Sequence, residues 1–536
     1  MRFRKYILAI LCFSGVSYST NSLAQQIDTI FSDINYIRKS NAILNSKNAS
    51  GLKYFSLPKA SSAQLFFNKA DGDFKNYHQS DNSYDYGLQT ESFFRLNPKV
   101  VFYGDILYRN FKGNNMAGSG FIDPYKTPFD IVEANDNNRG VKQQEIYKLT
   151  GKVSVELSSK FTVGGGLEYE ASNFAKMRDL RHVNKLLDID ASLGGLYQLN
   201  KSIEIGLNYN YLRRIESISF ESHGNVDKGF VSLISFGAFY GRAETFSKEG
   251  YTSSENTWPL ADIGHAGTMQ LNLYLNKHIH FLNEFTFTIK NGFFGRKSSA
   301  SKPFTEHTKN SIVYNGTLSL NKGKNEHHFS LRAGYETLVN NENTDLTGTP
   351  IGGASQILIV VTKEVLDRQE LKASLNYALF KNVRNNTPEY TFDANIDYFR
   401  RQQTMNYLYP FYRDQTINSY QIKANIKRNM VKTNHMYSFG VGLGYGSGSG
   451  LAKYDGLHAA PSSNKVPTSM DLYLYQEFEY FTKPRVMADI SLQYTKKMKQ
   501  NIAPYAKLSY NYTKAFDTQF LGSSFGVAGA SVGCNF

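Results

Sequence analysis

Phe525-Gly-Val-Ala-Gly-Ala-Ser-Val-Gly-Cys-Asn-Phe536 decides how this chain is read. Ala528, Ala530, Val532, Cys534 and Phe536 recur at every second position, so a strand places them on one face. An alternating strand that ends on a terminal aromatic is what a Gram-negative outer-membrane barrel presents for assembly. That reading puts Phe536 in the periplasm. The fold class expected is all-β: a closed antiparallel transmembrane β-barrel preceded by a short N-terminal helical segment.

The other terminus agrees. Arg2, Arg4 and Lys5 precede an apolar run from Tyr6 to Val16, and Ser22-Leu-Ala24 offers small residues for cleavage before Gln25. Residues 1–24 read as a secretory signal peptide, 25–60 as a periplasmic or lumenal segment and 61–536 as the barrel. Cleavage would leave Cys534 as the one cysteine, which rules out an internal disulfide and a thiolate zinc site.

Composition excludes a helical membrane protein, since no stretch of 18 apolar residues occurs. The 37 Tyr and 38 Phe instead suit the aromatic girdles of a barrel. The formal charge of +14 is scattered and accompanied by no binding motif, so it fits lipopolysaccharide phosphates and outer-membrane lipid rather than nucleic acid.

Alternation is clean along the chain. Phe161, Val163, Gly165, Leu167 and Tyr169 share a face opposite Thr162, Glu168 and Glu170; Ile203, Ile205, Leu207 and Tyr209 alternate with Glu204, Gly206 and Asn208. Lipid cannot satisfy an open sheet edge, so such strands must close. Short turns at Leu96–Lys99, Ser158–Lys160, Asn200–Lys201, Asn276–His278, Asn321–Asn325 and Met430–Asn434 alternate with long connections at 111–140, 174–184, 217–263, 340–366, 402–415 and 447–467. Short turns belong to the periplasm. The count is 18 strands, with 16 as the next choice. It rests on reading Leu472–Tyr494 as one long strand with a bulge at Pro484, because its apolar residues share a parity and Phe536 then returns to the periplasm.

Ahead of the barrel, Ile27, Ile30, Phe31, Ile34 and Ile37 follow helical spacing. That helix is too short for the plug domain of a TonB-dependent receptor, but it is able to cap or enter the lumen.

The candidate ligand-binding residues are Glu168, Glu170, Asp188, Asp190 and Glu204, accompanied by Glu156, and the loop cations Arg178 and Arg181. In a meander the acids share one sector of the lumenal wall. They form either a cation-attracting stripe or a polar wall paired with Arg332, Lys372, Lys423 and Lys427 across the lumen, and the paired wall is favoured. Arg178 and Arg181, with Asp179 and His182, read first as a loop-stabilising ion-pair network. His278, His280, His327 and His328 fall on the periplasmic rim; adjacent strand residues point to opposite faces, so His327 and His328 cannot chelate together. No metal or cofactor is expected. Nor is catalysis: Gly446-Ser-Gly-Ser-Gly450 has glycine where a nucleophile elbow needs serine, and a barrel hydrolase would require a Ser or Asp within reach of a His on the wall.

Phe121-Ile-Asp-Pro-Tyr125, Phe174-Ala-Lys-Met-Arg-Asp-Leu-Arg-His182 and Leu186-Leu-Asp-Ile-Asp190 resemble an uncharacterised family of outer-membrane β-barrel proteins common in Bacteroidota. The resemblance implies company with TonB-dependent uptake systems, hence acquisition of a nutrient or metal chelate. Asn48-Ala-Ser-Gly-Leu52 is similar to the Asn-Pro-Ala-Gly-Leu turn of long-chain fatty-acid transporter barrels, without its proline, which admits a hydrophobic-substrate channel. The function expected is uptake of a small nutrient or metal chelate, as a channel or as partner of a TonB-dependent receptor. The alternative is a scaffold with a closed lumen that docks surface lipoproteins. For the scaffold, the aromatic-rich Phe230–Tyr240 within 217–263 would serve as docking platform or lid.

Overall fold

A computed structural model describes residues 31, 33–133, 138–224, 228–253, 258–297, 302–347, 358–498 and 502–536. The signal-peptide reading of 1–24, and Ile27 and Ile30, lie outside the described residues.

Among the described residues, eighteen long strands form one antiparallel sheet. In chain order they begin with β1 (Lys59–Gly72), β2 (Asn82–Asn97), β3 (Val100–Met116), β6 (Gly140–Glu156), β7 (Phe161–Lys176) and β8 (Arg181–Gln198). Next come β9 (Ile203–Glu221), β12 (Pro259–Asn276), β13 (Ile279–Phe294), β14 (Thr305–Lys322), β15 (Asn325–Thr347) and β16 (Leu358–Lys381). The last six are β17 (Tyr390–Met405), β18 (Phe411–Lys432), β19 (His435–Leu457), β21 (Arg485–Lys496), β22 (Ala503–Ala515) and β23 (Ser524–Asn535). Each pairs with its sequence neighbour, and β23 pairs with β1, which closes the ring. Ser61 and Phe536 exchange both backbone hydrogen bonds at the seam, at 2.9 and 3.0 Å. The expected outer face is the exposed one: Leu167, Leu193, Leu207, Met269 and Leu443 all point out of the ring. An apolar outer band around a closed ring is the form an outer-membrane protein takes, and that is where this one resides.

The wall is uneven. β15, β16, β18 and β19 run for 22–24 residues, whereas β21, β22 and β23 have 12 or 13. A tilted strand of 12 residues rises roughly 30 Å, enough to cross the hydrocarbon, and one of 23 rises roughly 58 Å. Much of what reads as loop at 340–366 and 447–467 is therefore strand standing above the membrane. Another expected long connection, 174–184, is a tight turn at 177–180 between β7 and β8.

Leu472–Tyr494 is not one bulged strand. Asp471–Thr482 is a helix inside the mouth of the barrel, and β21 starts at Arg485 opposite Gly446, about halfway down β19. The shared parity of Leu472, Leu474, Phe478 and Tyr480 suits both conformations; the helix buries Tyr473, Leu474 and Glu477 on one side and ends just before Pro484, where αR backbone is disfavoured. Gly448 on β19 lets it approach, since a Cβ there would lie 2.9 Å from the Phe481 carbonyl oxygen. The strand count stays at 18 and Phe536 stays with the short turns, because the helix descends inside the ring instead of adding a strand to it.

Two bodies occupy the lumen. At the periplasmic end, residues 33–57 fold into a helix, Ile34–Ser40, and two 3₁₀ turns, Ala42–Asn45 and Ala49–Tyr54. Asp33 and Asn48 cap the first and last of these through side-chain oxygens. Ile34, Ile37, Leu52, Phe55 and Leu57 pack against wall residues Phe93, Val101 and Phe380. Polar contacts reach the wall at β2 (Arg38–Glu91, 3.2 Å), at β8 to β12 (Lys47–Asp190, 3.3 Å; Lys53–Glu204) and at β17 to β18 (Lys39–Asp393 and Asp33–Lys427, both 3.2 Å). These positions are about a quarter to two-fifths of the ring apart, so this short segment spans the cross-section. At the other end, β4 (Gly118–Ser119), β5 (Asp130–Glu133), β10 (Phe230–Ser235), β11 (Tyr240–Phe246) and β20 (Thr468–Ser469) form a small sheet that, with the helix, caps the mouth. Phe230–Tyr240 is thus a lid: Phe230, Ile234 and Phe236 are buried in the cap core with Phe121, Phe129 and Phe294.

Asn48–Leu52 docks where β7 and β8 lack side chains. Asn48 Nδ2 donates to the Gly195 and Leu207 carbonyls and to Gln270 Oε1, and Ser50 Oγ donates to the Gly194 carbonyl. A Cβ at Gly164 would sit 2.2 Å from the Ser50 nitrogen. Gly164→Val should therefore lift the plug from a wall that still folds, at a cost of about 1–3 kcal/mol. Trypsin should then cut at Lys47 and Lys53 in the folded variant and spare them in the wild type.

Candidate functional site

Beneath the mouth helix the lumen holds a chamber of about 750 Å³, on the side of β14 to β18 and β21 to β23. The β-ladders order its wall into rows. The lower row runs Arg332, Ser374, Asp397 and Gln421 across four neighbouring strands. The next row toward the outside is Gly334, Lys372, Phe399 and Ser419, and above it stand Glu336, Glu370 and Arg401. Phe74, Tyr480 and Phe481 roof the chamber; Phe74 stacks on Tyr480 at 5.6 Å and Phe399 meets Phe481 at 5.4 Å. Arg485 fixes the roof by donating from Nη1 to the Tyr480, Phe481 and Lys483 carbonyls at 3.3–3.4 Å, which occupies acceptors left open at the helix C-terminus. The periplasmic plug holds Asp393 four residues below Asp397 on β17, about 13 Å along the strand.

Most charges on this side are engaged. Glu336 pairs with Lys309 at 3.3 Å, Glu370 with Lys372 at 2.6 Å and Arg368 at 3.6 Å, and Arg401 with Glu477 of the helix at 2.6 Å. Two are different. Arg332 is exposed to the lumen and has no hydrogen-bond or ion-pair partner among the described residues. Asp397 accepts a hydrogen bond from the Asn395 amide and faces no paired cation.

The acids expected to line a site lie elsewhere, in the sector of β6 to β9, and Glu168, Asp188, Asp190 and Glu204 are tied into the structure. Glu168 pairs with Lys152 at 3.2 Å, Asp188 with Arg214 at 3.1 Å, and Asp190 with plug Lys47 and the Asn210 amide. Glu204 is buried and takes Lys53, the Tyr54 hydroxyl at 2.9 Å and the Asn272 amide at 2.9 Å. Glu170 is half-buried beside Lys148 and Asp188 in the register. The wall is paired, but its partners are the plug and near neighbours, not the cations across the lumen: Lys372 serves Glu370, Lys423 serves Asp489 at 2.8 Å and Lys427 serves Asp33. Arg178 donates to the Arg139 carbonyl and Arg181 pairs with Asp179 at 2.9 Å, both on the outer rim.

What the residues missed is how the cap is held. Glu216 accepts from the Ile122 backbone N–H, from Asn184 and from Arg214, and Asn184 also donates to the Gly120 carbonyl. Glu133 is buried with Lys176 at 2.5 Å and Lys142 at 3.9 Å. Glu479 on the mouth helix accepts from the backbone N–H of Gln519, Phe520 and Leu521, latching the connection between β22 and β23. Arg413, buried on β18, binds Asp455 in bidentate fashion, donates to Ser469 and lies 4.6 Å from the Tyr240 ring centre.

A serine does meet a histidine on the wall: Ser319 Oγ lies 2.9 Å from His328 Nδ1, and Glu326 stands 3.7 Å from His328 Nε2. Both Ser319 and His328 are buried, His328 packs on Phe380, and Glu326 accepts from plug Tyr36 at 2.7 Å. The group fastens the plug to the wall.

The model of a family of unknown function (DUF6850) matches residues 49–536. No curated protein matches the sequence. Among solved structures, the chain is similar to BauA, the ferric preacinetobactin receptor from Acinetobacter baumannii, at 9% identity over 89% of this chain and 80% of that one, with a TM-score of 0.36. It is similar to the toluene transporter TodX from Pseudomonas putida at 8% identity over 92% of each chain, TM-score 0.29. The monoaromatic hydrocarbon channel CymD gives 9% identity over 93% of each, TM-score 0.28.

Glu477→Ala leaves Arg401 buried and uncompensated, which should cost about 3–5 kcal/mol and speed amide exchange across 471–482; pairing it with Arg401→Met should restore most of the protection. Burial raises the Asp130 carboxyl to about 6, against stabilising hydrogen bonds from Ser119 and Tyr77. A carboxyl whose folded pKa exceeds its unfolded value stabilises at low pH and loses that contribution as pH rises from about 4 through 6. Burial holds nearby His78 down to about 4, which acts in the opposite sense. Protection of 118–133 should thus fall less with rising pH in Asp130→Asn than in the wild type, the difference isolating Asp130.

Proposed function

This chain belongs to the DUF6850 family, and we propose that it serves as an outer-membrane uptake barrel for a small solute, gated by residues 33–57. The observation that carries this reading is the placement of the chamber: it lies between a cap and a plug that are separate pieces of chain from the wall. A solute entering past the mouth helix rests there, and leaves when the plug withdraws from Asp393, Lys427 and Glu326. Because β1 starts at Lys59, the plug is able to move without breaking any rung of the ring. Beside its apolar contacts, the plug is held by ion pairs such as Lys39–Asp393 and Lys47–Asp190, whose half-exposed lysines exchange readily for water, which suits a gate. A small nutrient or a metal chelate fits the chamber size, and an energised partner reaching the periplasmic mouth, as in a TonB-dependent uptake system, is the proposed source of the force that withdraws the plug. No chemical conversion of the solute is part of this role.

A scaffold role is the second reading, favoured by one feature. The tall wall of β15, β16, β18 and β19 offers a surface outside the membrane against which surface lipoproteins would dock.

Planar-bilayer conductance separates the two. Wild-type barrels should open rarely, and a variant lacking 33–57 should conduct in large, persistent steps, with Lys53→Glu intermediate because it sets a second carboxylate against Glu204. A deletion variant that remains heat-modifiable on gels yet conducts no more than the wild type would exclude the gate and leave the scaffold.

A further inference from the structure

We propose that the chamber selects a zwitterion with an aromatic body: an amino acid or short peptide whose ammonium and carboxylate bridge Asp397 and Arg332. The inference rests on the uptake reading and assigns its cargo.

The row Arg332, Ser374 and Asp397 crosses β15, β16 and β17 with consecutive residues directly paired. Adjacent strands lie about 4.8 Å apart, so the two charged residues leave the backbone about 10 Å from each other on the same lumenal face. An Arg side chain is long enough to cover that distance, yet no ion pair forms between them within 4 Å among the described residues. The other charges that face the chamber on those strands, Glu336, Glu370, Lys372 and Arg401, each have a partner of opposite sign. An unpaired cation and an unpaired anion side by side, each facing a cavity, are matched by a ligand that carries both signs a few ångströms apart. Ser374 between them keeps the gap narrow in bulk and polar, its hydroxyl turned to Asn395 Oδ1 at 3.1 Å.

The apolar half of the recognition lies one row higher. Gly334 leaves open the wall position beside Lys372, and Phe399 and Phe481 offer ring faces to whatever stands there. Lys372 lies over the Phe399 ring at 5.6 Å and is held by Glu370 at 2.6 Å, one row above Arg332. A ring directed upward from the charged row reaches Phe399, Phe481 and the Phe74–Tyr480 stack beneath the roof. A chamber of about 750 Å³ admits a molecule of one to a few residues.

Titration calorimetry on the purified full-length barrel in detergent tests this with a series that keeps the ring and varies the charges: L-phenylalanine and alanylphenylalanine carry both, hydrocinnamate the anion alone, phenylethylamine the cation alone. At least one zwitterion should bind at least tenfold tighter than either single-charge analogue. Arg332→Gln should erase the advantage over phenylethylamine, and Asp397→Asn the advantage over hydrocinnamate. Gly334→Trp provides a variant that does not touch the charges: a Cβ there meets Val313 at an ordinary 3.4 Å, so the wall tolerates it while the indole fills the chamber, and zwitterion binding should vanish. Equal binding of all four compounds, binding unchanged by both charge substitutions, or no zwitterion binding to the heat-modifiable wild type would overturn the assignment. Lost binding with plug-dependent conductance intact would remove the cargo and leave the gate; binding intact with no such conductance would do the reverse.

Discussion

Everything in this protein follows from the seam at which Ser61 and Phe536 exchange backbone hydrogen bonds. Hydrocarbon offers no partner to an N–H or a carbonyl, so a sheet in a membrane has no permissible edge. Closing β23 onto β1 removes the edges, and the closed ring then divides every strand into a face for lipid and a face for the lumen. The inward positions must be polar, and polar positions in a confined space must find partners. Most of the side-chain network is the consequence: Glu204, Asp190, Glu91 and Asp393 are wall acids, and the plug supplies Lys53, Lys47, Arg38 and Lys39 to meet them.

Alternation with period two was legible because lipid enforces it on each strand separately, with no help from distant residues. That made the closed ring and its strand number readable from sequence, the number in spite of the misread segment Leu472–Tyr494. The helix Asp471–Thr482 was not, although it lies in a segment read closely. Its apolar residues at 472, 474, 478 and 480 satisfy a strand as well as a helix, and what decides is Arg401 on β17 meeting Glu477, and three backbone N–H groups beyond β22 meeting Glu479. Those contacts join residues some 40 and 76 positions apart in sequence. Strand length above the membrane was hidden for a related reason: on upper β18, Asp414, Thr416 and Asn418 take the outward positions, so the apolar pattern that marks a strand fades while its ladder continues.

The site shows the same division. The acidic sector of β7 to β9 drew attention because carboxylates facing a lumen are conspicuous in sequence; the structure engages Asp190 and Glu204 in holding the plug and Asp188, through Arg214, in holding the cap. Arg332 was visible only as a candidate partner for those acids. Its significance depends on what fails to pair with it, and an unmet charge is a property of three-dimensional arrangement that no spacing reveals. The segments Phe121–Tyr125 and Leu186–Asp190, which carried the family resemblance, converge at Glu216 through the Ile122 N–H, Arg214 and Asp188.

The plug contacts the ring at three places about a quarter to two-fifths of a turn apart, through residues 53 to 394 positions distant from it in sequence. A ring of markedly smaller circumference would crowd those contacts and a markedly larger one would part them. The N-terminal segment thus works as an internal brace, tying distant arcs of the ring to one another across the lumen.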